Sequence, residues 1–138
     1  MKKIIVLFIA FSSLISCKTI TYSPMNYKDQ QLVVGSSGGV TGTIKEYALL
    51  DNGRLYVSKG ITGEWKYLRK VKGAKVRDIF NKAEELGLDT MKFKHPGNMS
   101  YYLIIRTSKK SNEVKWGEAG EPVPSGIIAF YQELTKAL

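Results

Sequence analysis

Apolar positions recur along this chain at two different spacings, and the changes of spacing mark the elements. Leu32-Val33-Val34 is a short apolar run, and residues 35–39, rich in Gly and Ser, read as a flexible turn. Residues 40–50 are strand-like, with Val40, Thr41, Thr43, Ile44 and Tyr47 suited to a pleated surface. Asp51-Asn52-Gly53 predicts a tight hairpin, because Asn-Gly supplies the positive φ angles such a turn needs. Residues 54–58 return as the partner strand, and 60–63 turn again. Residues 64–71 form a third long strand, with Trp65, Tyr67, Arg69 and Val71 expected on one face. The period then becomes helical. Val76, Ile79, Phe80, Ala83 and Leu86 fall on one stripe of a helix over 74–86, with Gly87 as its C-cap and Leu88 folded back on the last turn.

The second half repeats this grammar in shorter form. Residues 100–107 are a strand of high β propensity, 109–112 a turn, and 113–116 the returning strand. Residues 117–124 make a loop closed by two prolines. Ile127, Phe130, Tyr131, Leu134 and Leu138 then form a second amphipathic stripe, with Ser125 or a neighbour as cap. The order β-β-β-β-α-β-β-α predicts an α+β domain over 32–138. Its antiparallel sheet has five to six strands, and two amphipathic helices pack on one face.

Ahead of that pattern lies a different one. Two lysines, Lys2 and Lys3, precede a run of twelve residues, 4–15, that is apolar except for Ser12 and Ser13. Twelve residues fall short of the roughly 20 needed to span a hydrocarbon core. The layout is that of a secretory signal. Leu14-Ile15-Ser16-Cys17 resembles the lipobox of bacterial lipoproteins: an aliphatic residue, a tolerant position, a small residue, then cysteine. That resemblance implies cleavage after residue 16, a lipid group on the Cys17 thiol, and a membrane anchor. Lys18 is not the acidic residue that retains such proteins at the inner membrane. The absence of any acid before Asp29 differs from the acidic cluster of surface-exposed lipoproteins in the Bacteroidota. Both features imply an outer-membrane anchor with the chain facing the periplasm. Residues 17–31 read as the lipidated cysteine and a flexible tether with a reach of roughly 20 Å.

Most of the chain from Cys17 onward also resembles small α+β envelope lipoproteins of unassigned function from the Bacteroidota. The resemblance lies in the glycine-rich start, the hairpin around Asp51-Asn52-Gly53, and the His95-Pro96-Gly97-Asn98 and Trp116-Gly117 loops. It brings no catalytic residues with it.

Composition narrows the chemistry. The chain has 138 residues, one Cys and one His, which excludes a disulfide framework, a cysteine-rich zinc site and a multi-histidine metal centre. Residues 35–42 lack the spacing of a phosphate-binding loop and lead into a strand. No G-x-S-x-G occurs, and nothing in the spacing brings His95 to Ser100. No cofactor is implied. Glu118 and Glu121, in the loop after Trp116, are the one carboxylate pair that would suit glycoside hydrolysis, with Trp116 as a sugar platform.

Charge is the stronger signal. Lys and Arg number 21 against 12 Asp and Glu. Lys66, Arg69, Lys70, Lys72, Lys75 and Arg77 follow one another with no acid among them, and Asp78 and Lys82 come after. Such a field attracts anionic partners. For an exported chain these are an acidic protein or an anionic envelope lipid or glycan, and not nucleic acid. The sequence therefore favours a non-enzymatic, membrane-anchored binding module or accessory subunit. An envelope glycan hydrolase using Glu118 and Glu121 is the alternative.

Overall fold

The computed structural model describes residues 21–138, so Cys17 and the signal-like segment lie outside the described residues. Eight elements follow one another: β1 (Gln31–Gly38), β2 (Thr43–Leu50), β3 (Arg54–Lys59), β4 (Trp65–Lys70), α1 (Gly73–Glu85), β5 (Met99–Arg106), β6 (Ser111–Trp116) and α2 (Ile127–Ala137). The strands form one six-stranded sheet in the order β4-β3-β2-β1-β5-β6, antiparallel at every pairing. This is the α+β fold expected from the sequence.

Both helices lie on one face. Val76, Ile79, Phe80 and Ala83 of α1 and Ile127, Phe130 and Leu134 of α2 bury against Leu32, Val34, Leu49, Leu55, Leu103, Ile105 and Val114. The cap of α1 is a Schellman closure. The Leu88 amide donates to the Ala83 carbonyl, the Gly87 amide donates to Glu84, and Gly87 takes φ 67°. Leu88 is thereby buried in the core.

The other face carries a second, smaller core of Val33, Ala48, Leu50, Tyr56, Tyr102 and Ile104. No helix covers it. Residues 21–30, expected as a tether, instead form a strap across part of this face. Tyr27 packs on the second core and donates its phenol proton to Asp51. Gln31 Nε2 donates to the Pro24 carbonyl at 3.2 Å, and the Tyr56 hydroxyl donates to the Tyr22 carbonyl. The physical reason is that an antiparallel sheet with apolar residues on both faces needs cover on both.

Two strand boundaries differ from the sequence reading. β1 runs straight through Gly35-Ser36-Ser37, and the turn falls at 39–42, leaving Val40 fully exposed at its tip. In β4, Leu55 pairs with Arg69 but Tyr56 pairs with Tyr67, so Leu68 is an inserted bulge residue. The bulge breaks the expected alternation. Trp65 and Tyr67 meet the second core, whereas Arg69 and Val71 fall on the helix side.

Candidate functional site

The six cations singled out in the sequence gather around one corner, where edge strand β4 turns into α1. They do not share a face. Lys66 pairs with Val57, which pairs with the helix-side Tyr47, so Lys66 and Arg69 lie on the helix side. Lys70 pairs with Arg54 on the opposite side. Lys72 is the N-cap of α1, and Lys75 and Arg77 stand in its first turns. The corner is closed by the Val71 amide donating to the Gly53 carbonyl at 2.8 Å.

Two of the six are used internally. Arg69 donates to the Ala137 carbonyl at 2.7 Å, placing a guanidinium on the negative end of α2. Lys75 and Lys82 reach the two carboxylate oxygens of Glu133 at 3.3 and 2.5 Å. Hydrogen bonds from Lys82 and then Lys75 hold that carboxyl below the usual glutamate range. Lys66, Lys70, Lys72 and Arg77 are exposed and have no ion-pair partner among the described residues.

Lys72 makes no side-chain cap, and α1 has no acid in its first turn. The free amides of that turn thus add to the positive field of the lysines. Arg69, Lys70, Lys72 and Lys75 line an open groove floored by Val71 and Ile79 and closed by Ala137 and Leu138. Lys70 also lines a second groove on the far side of β4 with Thr21, Arg54, Tyr56 and Tyr67. Sequence reasoning missed Arg54 and Tyr67 as members of this surface. The signal that could have found them was the Asn52-Gly53 turn, which brings Arg54 opposite whatever strand follows. Arg54 and Lys70 meet directly across the sheet, a like-charge pairing that disfavours the folded state unless an anion stands nearby.

A second cluster forms at the other end of the sheet. The segment before β5 runs parallel to the end of β6: His95 N–H donates to the Lys115 carbonyl at 2.9 Å, and Glu118 N–H donates to the His95 carbonyl at 3.0 Å. His95 Nδ1 then stands 3.2 Å from Glu118 Oε2 and 3.8 Å from Glu121 Oε2. The three donor atoms lie within 4.8 Å of one another, a span one divalent cation can bridge. All three side chains are well exposed, and the hydrogen-bond contact of His95 Nδ1 with Glu118 already accounts for the nearest approach.

The sequence singled out these three residues in separate roles, and the fold joins them. It separates the other expected participants. Ser100 is buried and donates to the Gly97 carbonyl at 3.0 Å. Trp116 is only 7% exposed and packs edge-on against Tyr131 and stacked on Tyr101, under the helices. It is not available as a platform for a sugar beside Glu118 and Glu121.

No protein-family model matches the chain, and no curated protein matches it. Among the described residues, no helix is long and apolar enough to cross a membrane.

Proposed function

We propose that this chain is a non-enzymatic binding module of the bacterial cell envelope. It is anchored through a lipid on Cys17 to the outer membrane, faces the periplasm, and engages an anionic partner through the β4–α1 corner. One observation carries the binding part of this reading. Lys66, Lys70, Lys72 and Arg77 are solvent-facing cations without ion-pair partners among the described residues, grouped around an uncapped helix start. A generally basic surface disperses its charges among acids; here the acids nearest in sequence, Glu64 and Asp78, pair with none of the four cations among the described residues. The lipobox-like Leu14-Ile15-Ser16-Cys17 supports the anchor.

In-cell crosslinking of the tagged full-length protein tests the reading, with Lys66→Glu/Lys72→Glu/Arg77→Glu and Cys17→Ala as comparisons. The expected result is one reproducible crosslinked species, weakened by salt, lost on charge reversal and lost on removal of Cys17. Identical crosslinks in the wild type and the charge-reversed protein overturn the electrostatic assignment.

One observation favours the hydrolase alternative: Glu118 and Glu121 converge on a single imidazole, so the two carboxylates are neighbours in space. Turnover of peptidoglycan fragments by the wild type, abolished in Glu118→Gln, would move the assignment there.

A further inference from the structure

We propose that the β4 edge docks on the anionic phospholipid headgroups of the same membrane that holds the chain's anchor. This rests on the lipid-anchor reading of Cys17, and it replaces the unspecified anionic partner with the bilayer surface itself.

The argument is one of reach. Cys17 stands four residues before Thr21, and four residues extend at most about 14 Å. Thr21 enters the described fold at the groove it shares with Arg54, Tyr56, Tyr67 and Lys70. The strap is fastened there. The Tyr56 hydroxyl donates to the Tyr22 carbonyl, and the Tyr22 ring lies 5.6 Å from the Arg54 guanidinium. An acyl group on Cys17 therefore holds the β4 side of the sheet close to the bilayer. The β6 edge, five strand spacings away in the sheet order, is about 24 Å farther off.

The side brought close is the side built for such a surface. Lys66 and Lys70 flank this edge from opposite faces of β4, with Lys72 at its end, all without ion-pair partners among the described residues. Tyr67 and the bulge residue Leu68 are both exposed between them. Tyrosine rings settle at headgroup level, where one end is apolar and the other wet. As an edge strand, β4 also keeps a row of outward backbone N–H groups, which can donate to phosphate oxygens. Electrostatic attraction to the leaflet dies away over about 8 Å at physiological salt. A tether entering at β6 would leave the lysines outside that range; this entry point allows them within it.

The test is amine footprinting of the purified full-length protein in vesicles of phosphatidylcholine with and without phosphatidylglycerol. Mass spectrometry first establishes whether Cys17 carries acyl groups. Lys109, in the β5–β6 turn at the opposite end of the sheet, is the internal control. On anionic vesicles, Lys66, Lys70 and Lys72 are expected to be acylated by reagent at least about fivefold more slowly than on neutral ones, the factor one cation near an anionic leaflet supplies. Lys109 should not change. Lys66→Gln/Lys72→Gln should return Lys70 to its neutral-vesicle rate while the protein stays anchored. An acylated protein whose β4 lysines remain open overturns the docking surface and leaves the anchor standing. An unmodified Cys17 overturns both. Shielding seen in native membranes but absent from lipid vesicles assigns the edge to a protein partner and overturns the lipid assignment.

Discussion

The phenol of Tyr102 passes over Gly35 and donates a hydrogen bond to Glu46 Oε1 at 2.7 Å. Gly35 stands in register with Tyr102 on β5 and with Glu46 on β2, so a single side chain ties three strands together. A Cβ on Gly35 would lie 2.5 Å from Cε2 of the ring and 2.7 Å from its hydroxyl oxygen. Gly35→Ala is therefore expected to push the ring off Glu46 and to destabilise the fold by about 1–3 kcal/mol. A lower urea midpoint at unchanged slope would register it. An unchanged midpoint would show that the ring yields without consequence.

The same contact sets an alkaline limit. Burial first, then the hydrogen bond and charge of Glu46, hold the Tyr102 proton well above the ordinary tyrosine range. Burial and Asp51 do the same for Tyr27. A folded-state pKa raised in this way favours the neutral phenol. Its stabilisation is complete below about pH 10 and is lost as pH rises beyond it. Phenolate absorbance from two of the eight tyrosines should appear only together with loss of far-ultraviolet structure. In Tyr102→Phe the fall of stability with pH should be shallower.

At the acid end the group to watch is Glu133, which clamps α2 to α1 through Lys82 and Lys75. Its lowered carboxyl pKa means a contribution present above the ordinary value of 4.5 and lost as pH falls through the lowered one. The pair is well hydrated, so the contribution is modest, about 0.5 kcal/mol after screening. Thermal midpoints of wild type and Glu133→Gln should differ at neutral pH and converge in acid and in high salt.

Asn112 is 9% exposed and donates through Nδ2 to the Leu88 carbonyl at 2.7 Å and the Met91 carbonyl at 2.9 Å. It pins the chain leaving α1 to the start of β6. Replacing it with leucine of similar size leaves both carbonyls unmet, at an expected cost of about 2–4 kcal/mol. Asn112→Asp should be worse at neutral pH than in acid, because an ionised carboxylate offers no donor. Equal stability of Asn112→Asp at both pH values would refute that account.

Gly97 and Gly117 cross so closely that a Cβ on Gly97 would lie 2.1 Å from the Gly117 carbonyl oxygen. Gly117 itself takes φ 146°, with Met99 O 2.1 Å from where its Cβ would be. Gly97→Ala must push the two backbones apart, at about 3 kcal/mol. It should also draw His95 away from Glu118. The imidazole resonances of His95 in nuclear magnetic resonance spectra would report the change separately from any stability effect.

What could be read in advance, and what could not, follows from the range of the forces involved. The Asn52-Gly53 turn and the stripe from Val76 to Ala83 are local, and the structure has them within a residue. The extension of β1 through Gly35-Ser36-Ser37 was not legible, because it rests on pairing with β5, more than sixty positions away in the chain. The bulge at Leu68 was hidden for the same reason: only the partner Leu55–Tyr56 step reveals it. Every cation of the basic corner except Arg54 stands out in the sequence. The division of that corner into used and unused cations does not, since Ala137 and Glu133 arrive from α2. His95, Glu118 and Glu121 were each visible, but their meeting depends on two glycines passing within touching distance.

The strap also decides how the protein bears a load. Residues 21–30 lead straight into β1, which has a neighbour on either side. Tension on the N-terminus first meets a few isolated bonds, Tyr56 to Tyr22 and Tyr27 to Asp51, which can give way singly. Behind them stand the ladders to β2 and β5, perpendicular to the pull, which are strained in shear and all at once. A moderate tug therefore peels the strap and lengthens the leash by about 30 Å before the sheet yields. The segment that fits the fold to its surroundings is also the segment that can be spent as slack.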